Sequence, residues 1–418
     1  MVYFWNTFYT IGGLSYLFLV GMIVFGLVKL GRSSNGGQPS DDNHPKVSVI
    51  ISARNEEHNL PTTLSGLLAQ NYPSDKYEII VIDDRSDDGT ADIVTGFSSQ
   101  YPRVKLAQQT TVIPGISPKK QALEKGINTA SGEIIMTTDA DCLHHPNWIS
   151  EMIAPMTHDV GMVIGQARFC ISIAGCQGTA PDSNTTGSAV NCGGLTADYD
   201  RLAAGKKQPL WQRLQALDFQ SLGYASAGLV STGMPFTCSG ASFAYRKTLF
   251  DEIEGWKGYD NLISGDDELL LTKASSSRWK IAVSTSPAAI VNTAPAATLY
   301  ELWQQRTRWG SKGLYYRPSR KLILIGVFLF MLSLTIAPIV WLISGLWKFW
   351  IGWSLVRLLM DLTALRLGCK LFKEKFKFLE FLLLEIIYPL QIVVFAIAGH
   401  FTGFEWKGQQ FHSKGEKV

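Results

Sequence analysis

Two long apolar segments of this chain carry no charged residue, and they limit what it can fold into more than any other feature. The segments are Met1 to Val28 and Leu322 to Trp347. About 20 apolar residues in a helix cross the roughly 30 Å hydrocarbon layer of a bilayer, so both segments predict transmembrane helices. The first lacks a basic start and a small-residue cleavage site, which favours a retained anchor over a cleaved signal peptide.

Lysine and arginine residues cluster on one side of the predicted spans. Loops rich in these residues stay in the cytosol, so the sequence predicts a multi-pass protein of the cell membrane whose large polar domain is cytosolic. The net charge is only +3, and no nucleic acid is expected as a partner. The clustered residues are Lys29, Arg32, Lys312, Arg317, Arg320, Lys321, Arg366, Lys370, Lys373, Lys375 and Lys377.

The C-terminal part of the chain predicts about three transmembrane helices. The middle one contains Arg357 and Asp361, which lie four positions apart on one helix face, where they can pair. Glu385 lies near the start of the last one, at an intramembrane or an interfacial position. The three segments are Leu322 to Trp347, about Phe349 to Leu365 and about Leu379 to His400.

The tail of the chain does not fit a simple count of spans. If all three C-terminal segments cross, the tail lies outside the cell, although it carries Lys407, Lys414 and Lys417. The last segment could instead be interfacial or re-entrant. We divide the chain into an anchor (1–30), a polar linker (31–45), a cytosolic domain (46–316), a membrane region (317–401) and a tail (402–418).

Within the cytosolic domain, short β-branched runs alternate with helical patterns. This alternation predicts an α/β fold with a parallel sheet, in which ligands bind at the carboxyl ends of the strands. The six cysteines show no Cys-x-x-Cys spacing, which argues against a zinc site or a disulfide framework. The predicted strands are 47–51, 78–82 and 134–137, and the predicted helices are 60–70 and 119–130, with a further helix from Thr90.

An Asp-x-Asp pair follows the strand at 134–137. Asp139 and Asp141 could hold Mg²⁺ or Mn²⁺, which prefers carboxylate oxygens and completes its shell with water and substrate phosphates. By itself such a pair is more typical of a solvated loop, so the surrounding motifs must show whether it is a metal site. Asp87 and Asp88, after the second strand, are expected to serve only the turn and the start of the next helix.

Four motifs in the first half occur together in one order: residues 47–57, Val81-Ile82-Asp83-Asp84, Lys119 and Thr138-Asp139-Ala140-Asp141. Their order and spacing resemble the nucleotide-binding half of an inverting family 2 glycosyltransferase of the GT-A fold, although the family usually has proline in place of Ser52. The resemblance implies a nucleoside pocket, a lysine near the nucleotide and a metal pair. The residues implied are Ser52, Arg54, Glu56 and Asp84 for the pocket, Lys119 for the nucleotide, and Asp141, helped by Asp139, for the metal.

Two motifs in the second half extend the resemblance. The segment Gly265-Asp266-Asp267-Glu268 is similar to the family's Glu-Asp motif, which makes Asp267 the candidate general base for the acceptor hydroxyl. An acidic cap on the helix that starts near Leu269 explains it equally well. The segment 305–309 fits the Gln-x-x-Arg-Trp motif of membrane-bound members, in which Gln305, Arg308 and Trp309 would serve the donor. An interfacial helix is the alternative, and both can hold at once.

The resemblance implies a GT-A domain with one N-terminal and about three C-terminal transmembrane helices. It implies transfer of a sugar from a nucleotide-diphosphate donor, a UDP-sugar above all, to a lipid or lipid-linked acceptor, with Mg²⁺ or Mn²⁺ as cofactor. Ceramide glucosyltransferase-like and polyprenyl-phosphate glycosyltransferase-like members are the similar types. The small number of spans favours this reaction over a polysaccharide synthase, whose export channel would need more helices.

Other functions stay open. A processive polysaccharide synthase and an inactive nucleotide-sugar-binding protein both fit the fold, whereas a nucleotidyltransferase leaves the Gln-x-x-Arg-Trp motif unexplained. Residues 171–207, rich in Gly, Ser and Thr, are expected to form a flexible insertion outside the resemblance. The segment from Leu210 to Gly223 predicts an amphipathic helix that either lies on the bilayer, where it could guide a lipid acceptor, or packs in the core.

Overall fold

The computed structural model describes residues 2–33, 44–170, 209–312, 316, 318–344 and 347–411. The expected insertion at 171–207, residues 34–43 of the linker and the last seven residues of the tail lie outside the described residues. The chain folds into two compact units, which we call the sheet unit and the helical unit. The sheet unit comprises Ser34–Gln212 and Thr237–Pro295, and the helical unit comprises Met1–Ser33, Arg213–Phe236 and Ala296–Val418.

The sheet unit contains a seven-stranded mixed sheet in the order β3-β2-β1-β4-β7-β5-β8. β1, β2, β3 and β4 are parallel to one another, and β7 runs antiparallel to β4 and β5. β6 (Gln166–Phe169) pairs in parallel with β9 (Ile290–Thr293). The strands of the large sheet are β1 (Val47–Ala53), β2 (Tyr77–Asp84), β3 (Val104–Gln109), β4 (Ile134–Asp139), β5 (Val160–Ile164), β7 (Phe243–Arg246) and β8 (Lys280–Val283).

Seven helices, one of them a 3-10 turn, connect these strands within the described part of the sheet unit. Helices α2 and α4 confirm the two helices predicted from the hydrophobic pattern, and α3 begins at Thr90 as expected. β1 and β2 are buried on both faces because helices cover the sheet, which explains their uninterrupted apolar runs. The helices are α2 (Leu60–Leu68), α3 (Thr90–Gln100), α4 (Pro118–Thr129), α5 (Trp148–Ile153), α7 (Lys247–Glu252), α8 (Asp266–Ala274) and the turn Pro287–Ala289.

The register of the parallel strands brings their carboxyl ends to one edge. Ser52 of β1 lies opposite Ile82 of β2 on one side and Asp139 of β4 on the other. The polar residues that follow β1, β2 and β4 therefore share this edge of the sheet. Asp88 serves the turn before α3 as expected, because its Oδ1 accepts hydrogen bonds from the Thr90 amide at 3.0 Å and the Thr90 hydroxyl at 2.6 Å.

The helical unit contains six described helices. Among the described residues, three helices are long and apolar enough to cross a membrane: α1, α10 and α12. α11 has spanning length but contains Arg357 and Asp361, which pair as predicted, with Nε 3.4 Å from Oδ2. The six helices are α1 (Val2–Ser33), α6 (Leu210–Ser231), α9 (Leu299–Gly310), α10 (Pro318–Ser344), α11 (Trp347–Leu371) and α12 (Phe378–Phe401).

Helix α6 interrupts the sheet unit in the sequence but packs with the helical unit. It is longer than its predicted amphipathic segment and ends at Ser231. Near its end Gly228 meets α1, where a Cβ on Gly26 would lie only 1.9 Å from the Gly228 carbonyl oxygen. After α12, a hairpin of β10 (Phe404–Trp406) and β11 (Gln409–Phe411) closes the described part of the chain.

Candidate active site

The acidic pair predicted from the sequence lies at the carboxyl end of β4. Asp139 is the last residue of β4, and Asp141 lies two residues beyond it. Oxygen atoms of the two carboxylates and the Cys142 sulfur lie within 4.8 Å of one another. Thr293 donates a hydrogen bond to Asp141 Oδ2 at 3.1 Å. Burial raises the pKa of the Cys142 thiol well above its usual range, so the thiol stays protonated and is a poor metal ligand.

Lys119 joins this pair to a second acidic group. Its Nζ lies 3.1 Å from Asp139 Oδ1 and 3.2 Å from Asp266 Oδ2. Burial by itself would lower the pKa of Lys119, but the charges of Asp139, Asp266 and Asp267 raise it above its usual range. Lys119 is thus a permanent cation within reach of the acidic pair.

The second acidic group begins helix α8. Gly265, at a φ of 83°, turns the chain so that Asp266 and Asp267 form the first turn of the helix. Burial would raise the pKa of Asp266, but the ammonium groups of Lys119 and Lys120 hold it below its usual range. Asp266 is therefore ionised at neutral pH.

Asp267 is held by backbone amides at both of its oxygens. Oδ2 accepts from the Gly240 amide and Oδ1 from the Glu268 amide, each at 2.8 Å. A Cβ on Gly240 would contact Asp267 at 3.4 Å. These bonds fix the orientation of the carboxylate, and the structure brings Asp267, Lys119 and the acidic pair together in the sheet unit.

The residues assigned to a nucleoside pocket follow β1 and end β2. Asp84 ends β2, where it accepts from Arg85 Nε at 2.9 Å and from Gln109 at 3.2 Å. Glu56 is buried after β1, and its Oε2 accepts from Asn59 at 2.8 Å. Ser52 lies within β1, and Arg54 follows the strand directly. All four residues lie at the same sheet edge as Asp139.

One buried lysine in this region was missed by the sequence reasoning. Lys120 is 1% exposed, and its Nζ donates to the carbonyl oxygens of Tyr259 at 2.6 Å and Leu262 at 2.8 Å. It supports the loop that leads to Asp266. The sequence did contain a signal for it, because Lys120 follows Lys119 directly on α4. Neighbouring positions of a helix point in different directions, so the two lysines must have different partners.

The Gln-x-x-Arg-Trp segment forms the second half of α9, in the helical unit. The amide of Gln215, on α6, donates to Gln305 at 3.2 Å. Phe219, also on α6, stacks on Trp309 with ring centroids 5.7 Å apart. The Arg308 guanidinium lies over the ring of Trp406, 5.6 Å from its centroid, in the C-terminal hairpin.

A buried ion pair within this segment was also missed. Arg306 Nη2 lies 2.5 Å from Asp218 Oδ2, and both side chains are less than a tenth exposed. Gln391 on α12 donates to the same oxygen of Asp218 at 3.0 Å. The guanidinium of Arg306 also lies 4.8 Å from the ring centroid of Trp309. The pair thus orients the motif helix, but its partners are far apart in the sequence and no local pattern predicts them.

The chemistry open to the sheet unit is specific. Two carboxylates offer hard oxygen ligands for a divalent cation that binds phosphate, and Lys119 adds a positive charge beside them. A carboxylate that is fixed and partly exposed, such as Asp267, can accept a proton from a hydroxyl group. The arrangement fits transfer between a phosphorylated donor and an acceptor hydroxyl.

Known proteins share both halves of this chain. The sequence profile "Glycosyl transferase family 2" matches residues 48–178, and "Glycosyl transferase family group 2" matches residues 197–407, half of the chain. In the structural comparison, a mannosyltransferase from Pyrobaculum calidifontis, solved with GDP-Man and Mn²⁺, aligns with a TM-score of 0.51 at 17% identity. That alignment covers 94% of this chain and 97% of the mannosyltransferase, and it shows the fold.

Two curated relatives have different acceptors in their names. The beta-monoglucosyldiacylglycerol synthase of Synechocystis is 24% identical over 75% of this chain and 60% of its own length. The poly-beta-1,6-N-acetyl-D-glucosamine synthase of Staphylococcus aureus is 24% identical over 72% of this chain and 63% of its own length. The chain thus spans less than two thirds of each relative. With the acidic pair, the GT-A-like sheet and the profile match in agreement, the chain belongs to the family 2 glycosyltransferases.

Proposed function

We propose that the protein is a membrane-bound inverting glycosyltransferase that moves one sugar from a nucleotide-diphosphate donor to a lipid or lipid-linked acceptor. The observation that carries this proposal is the placement of Lys119 between Asp139 and Asp266, beside Asp267. It brings a metal pair, a cation and a fixed carboxylate into one site. The donor is a UDP-sugar in this proposal, and GDP-sugars are the alternative suggested by the mannosyltransferase solved with GDP-Man.

The donor set fits Mg²⁺ or Mn²⁺. Asp139 and Asp141 supply two carboxylates whose oxygens can share one ion, and such ions take their other ligands from water and phosphate. When bound, the ion supplies positive charge to the diphosphate that leaves the sugar. Mn²⁺ in the solved mannosyltransferase supports this choice of metal.

The protein's own residues supply the remaining functions. Asp267 takes the proton of the acceptor hydroxyl as that hydroxyl attacks the anomeric carbon from the face opposite the nucleotide. Lys119 binds the phosphate side of the donor. Ser52, Arg54, Glu56 and Asp84 bind the nucleoside, and Gln305, Arg308 and Trp309 also serve the donor in this proposal.

The acceptor is proposed to come from the bilayer. Three helices of spanning length and composition support a membrane location, and the glucosyldiacylglycerol synthase among the relatives supports a lipid acceptor. The basic residues at the end of α1 and in the turn between α11 and α12 favour a cytosolic sheet unit.

The first test is release of nucleoside diphosphate from a panel of nucleotide sugars by the full protein in native lipid. Each donor is supplied with Mn²⁺, with Mg²⁺ or with a chelator. The proposal expects metal-dependent release from one donor, with an increase when a lipid extract is added. Binding of a nucleotide sugar without release from any donor, even with lipid extract, would favour a nucleotide-sugar-binding protein and contradict the proposal.

A polysaccharide synthase is the second candidate, because one relative is a poly-N-acetylglucosamine synthase. Product length separates the two functions. A radiolabelled donor should yield a lipid that carries one sugar. Chains of many sugars from the same donor would show that the protein is a processive synthase and not a lipid glycosyltransferase.

A further inference from the structure

Three helices of the helical unit lie side by side over the same length. α10 runs antiparallel to α1, because the Tyr9 hydroxyl donates to the Ser333 carbonyl at 2.9 Å and Gly12 packs on Phe330. α11 runs parallel to α1, and its contacts keep one register from end to end. The matched positions are Tyr9 with Phe349, Gly13 with Trp353 and Gly31 with Leu371.

This register means that α11 crosses the membrane if α1 does. Its two charged residues do not prevent crossing, because they have partners inside the bundle. Arg357 pairs with Asp361 and, at 2.7 Å, with Glu385 of α12, and Tyr16 of α1 donates to Asp361 at 2.5 Å. Charged residues within membranes are tolerated when they pair in this way. We call the end of the bundle that holds Gly31 and Leu371 the basal end.

The neighbouring helices α6 and α9 lie on the basal side. The chain leaves the end of α1 for the sheet unit, and it returns to that unit at both ends of α6. A single folded unit cannot lie on both sides of a bilayer, so α6 does not cross. Lys29 of α1 donates to the Ser231 carbonyl of α6 at 2.8 Å, which fixes the end of α6 at the basal end. α9 starts only four residues after Pro295, where the sheet unit ends.

Helix α12 contacts these two helices along most of its length. Near its start Glu380 pairs with Arg213 of α6, and in its middle Gln391 bonds to Asp218. Further along, Phe395 packs on Trp303 of α9 with ring centroids 5.4 Å apart. In its last turn a Cβ on Gly399 would lie 2.4 Å from the Gly310 carbonyl carbon, at the end of α9.

Both ends of α12 therefore lie on the same side. Its first residue follows the basal end of α11 after a turn of six residues, in which Phe372 stacks on Tyr224 of α6 at 5.4 Å. After its last residue, the hairpin returns to the first half of α9. There Tyr300 donates to Glu405 at 2.9 Å, and the Glu405 amide donates to Gln304 at 2.8 Å.

We propose that α12 does not cross the bilayer but is embedded in the leaflet at the basal end, where its exposed face meets lipid acyl chains. α1, α10 and α11 are then the crossing helices. Composition favours α12 over α11 as a span. It does not show that the buried face of α12 contacts α6 and α9 as well as the crossing helices α10 and α11. Five of the seven large apolar residues exposed on α12 follow one stripe: Leu379, Ile386, Leu390, Ile397 and Phe401, which are 64, 77, 53, 47 and 84% exposed.

This arrangement resolves the conflict in the charge pattern. Lys407, in the hairpin after α12, lies on the same side as the lysine-rich turn between α11 and α12. On that side, the ring of Trp406 lies against the guanidinium group of Arg308 on α9. The inference concerns topology alone and does not rest on the proposed reaction.

Single-cysteine labelling tests the proposal on the full chain. Lys375→Cys lies before α12, Gln410→Cys lies after it, and Lys348→Cys lies at the opposite end of α11; all three parent side chains are exposed. A membrane-impermeant maleimide is added to intact cells and to inside-out vesicles, and labelling is read by peptide mass spectrometry, so the native cysteines can stay. The unfolding temperature serves as the folding check, and Lys373→Cys and Lys407→Cys replace a variant that fails it.

The expected result is that positions 375 and 410 are both labelled in one of the two preparations and both protected in the other. Position 348 should be labelled in the preparation in which they are protected. Labelling of 375 and 410 from opposite sides would show that α12 crosses and would overturn the proposal. Labelling of 348 and 375 from the same side would also overturn it, because α11 would then not cross. The side on which positions 375 and 410 are labelled tests the cytosolic orientation separately.

Discussion

Lys119 forms an ion pair with Asp266, Nζ to Oδ2 at 3.2 Å, and this contact joins the helix after β3 to the start of α8. The same ammonium group reaches Asp139 of the metal pair at 3.1 Å. A single side chain thus links the carboxylates proposed for the metal with the helix that carries the proposed base. A donor phosphate that binds the metal would find a positive charge already in position.

Replacing Lys119 with alanine should weaken donor binding. The variant loses a charged hydrogen-bond donor, typically about 1.5 to 3 kcal/mol, which corresponds to about tenfold to hundredfold in Kd. Isothermal titration with nucleoside diphosphate and Mn²⁺ measures the change. Lys125→Ala, on the exposed side of the same helix, is the matched control, and Lys119→Arg should restore part of the affinity. Unchanged binding in Lys119→Ala would exclude contact with the phosphates.

Replacing Asp267 with asparagine should stop transfer and leave binding nearly intact. The amide cannot take the acceptor's proton, and general-base catalysis typically contributes about 10² to 10⁴ in rate. Nucleoside diphosphate release measures the rate, and titration measures the affinity. The exposed Asp251→Asn variant controls for loss of an acidic residue.

Asp141→Ala should differ from Asp267→Asn when the same two quantities, the release rate and the donor affinity, are measured. It should weaken donor binding in Mn²⁺ and make binding less dependent on the metal, because one of two proposed ligands is gone. If Asp267→Asn and Asp141→Ala lost donor binding equally, the separate roles of base and metal ligand would be wrong.

The buried pair of Asp218 and Arg306 should be important for the stability of the motif helix. Removing one partner of such a pair typically costs about 3 to 5 kcal/mol, because the other charge stays buried alone. We expect Asp218→Asn and Arg306→Gln each to lower the unfolding temperature and the rate of diphosphate release. The double variant should lose less than the sum of the two. Additive losses would show that the pair does not act as a unit.

The sheet unit should lose stability in acid through Glu78. Burial alone would raise its pKa, but hydrogen bonds from Lys105, Ser48 and Ser131 lower it from 4.5 to about 2. A lowered pKa means that the stabilisation is complete above pH 4.5 and is lost as the pH falls towards 2. It amounts to about 3 kcal/mol at neutral pH.

Glu78→Gln tests this pH dependence. Unfolding temperatures of both proteins are compared from pH 7 down to pH 3.5, a range that begins far above the ordinary carboxyl pKa. The variant should be less stable at pH 7, and the difference should shrink only below about pH 4.5. A difference that stays constant over the whole range would exclude ionisation of Glu78 as its cause. Exposed Glu133 offers a control substitution on the same unit.

Much of the sheet unit could be predicted because its signals are local. β1, β2 and β4 are continuous apolar runs, each followed directly by polar residues, and the structure confirms all three within a few positions. Asp139 and Asp141 were found because a strand end fixes the side chains that follow it. Parallel pairing then brings such ends together without further information.

The helical unit was harder to predict because its decisive contacts join distant parts of the chain. Hydropathy identifies apolar helices, but it does not show that Glu380 and Gln391 face α6 instead of lipid. The spacing of Arg357 and Asp361 predicted that they pair with each other. It did not predict their further partners, Tyr16 on α1 and Glu385 on α12. Whether a helix crosses the membrane therefore depends more on which of its faces has a protein partner than on its mean hydropathy.

The position of α6 in the sequence has a practical consequence for protein production. A fragment cut from Pro45 to Pro295 would look like a complete enzyme domain without its anchors. It would contain α6 but none of α1, α9 or α12, so Leu217, Tyr224 and Leu229, buried in the full chain, would face water. Such a fragment should aggregate, and one in which α6 is replaced by a short polar loop should stay in solution.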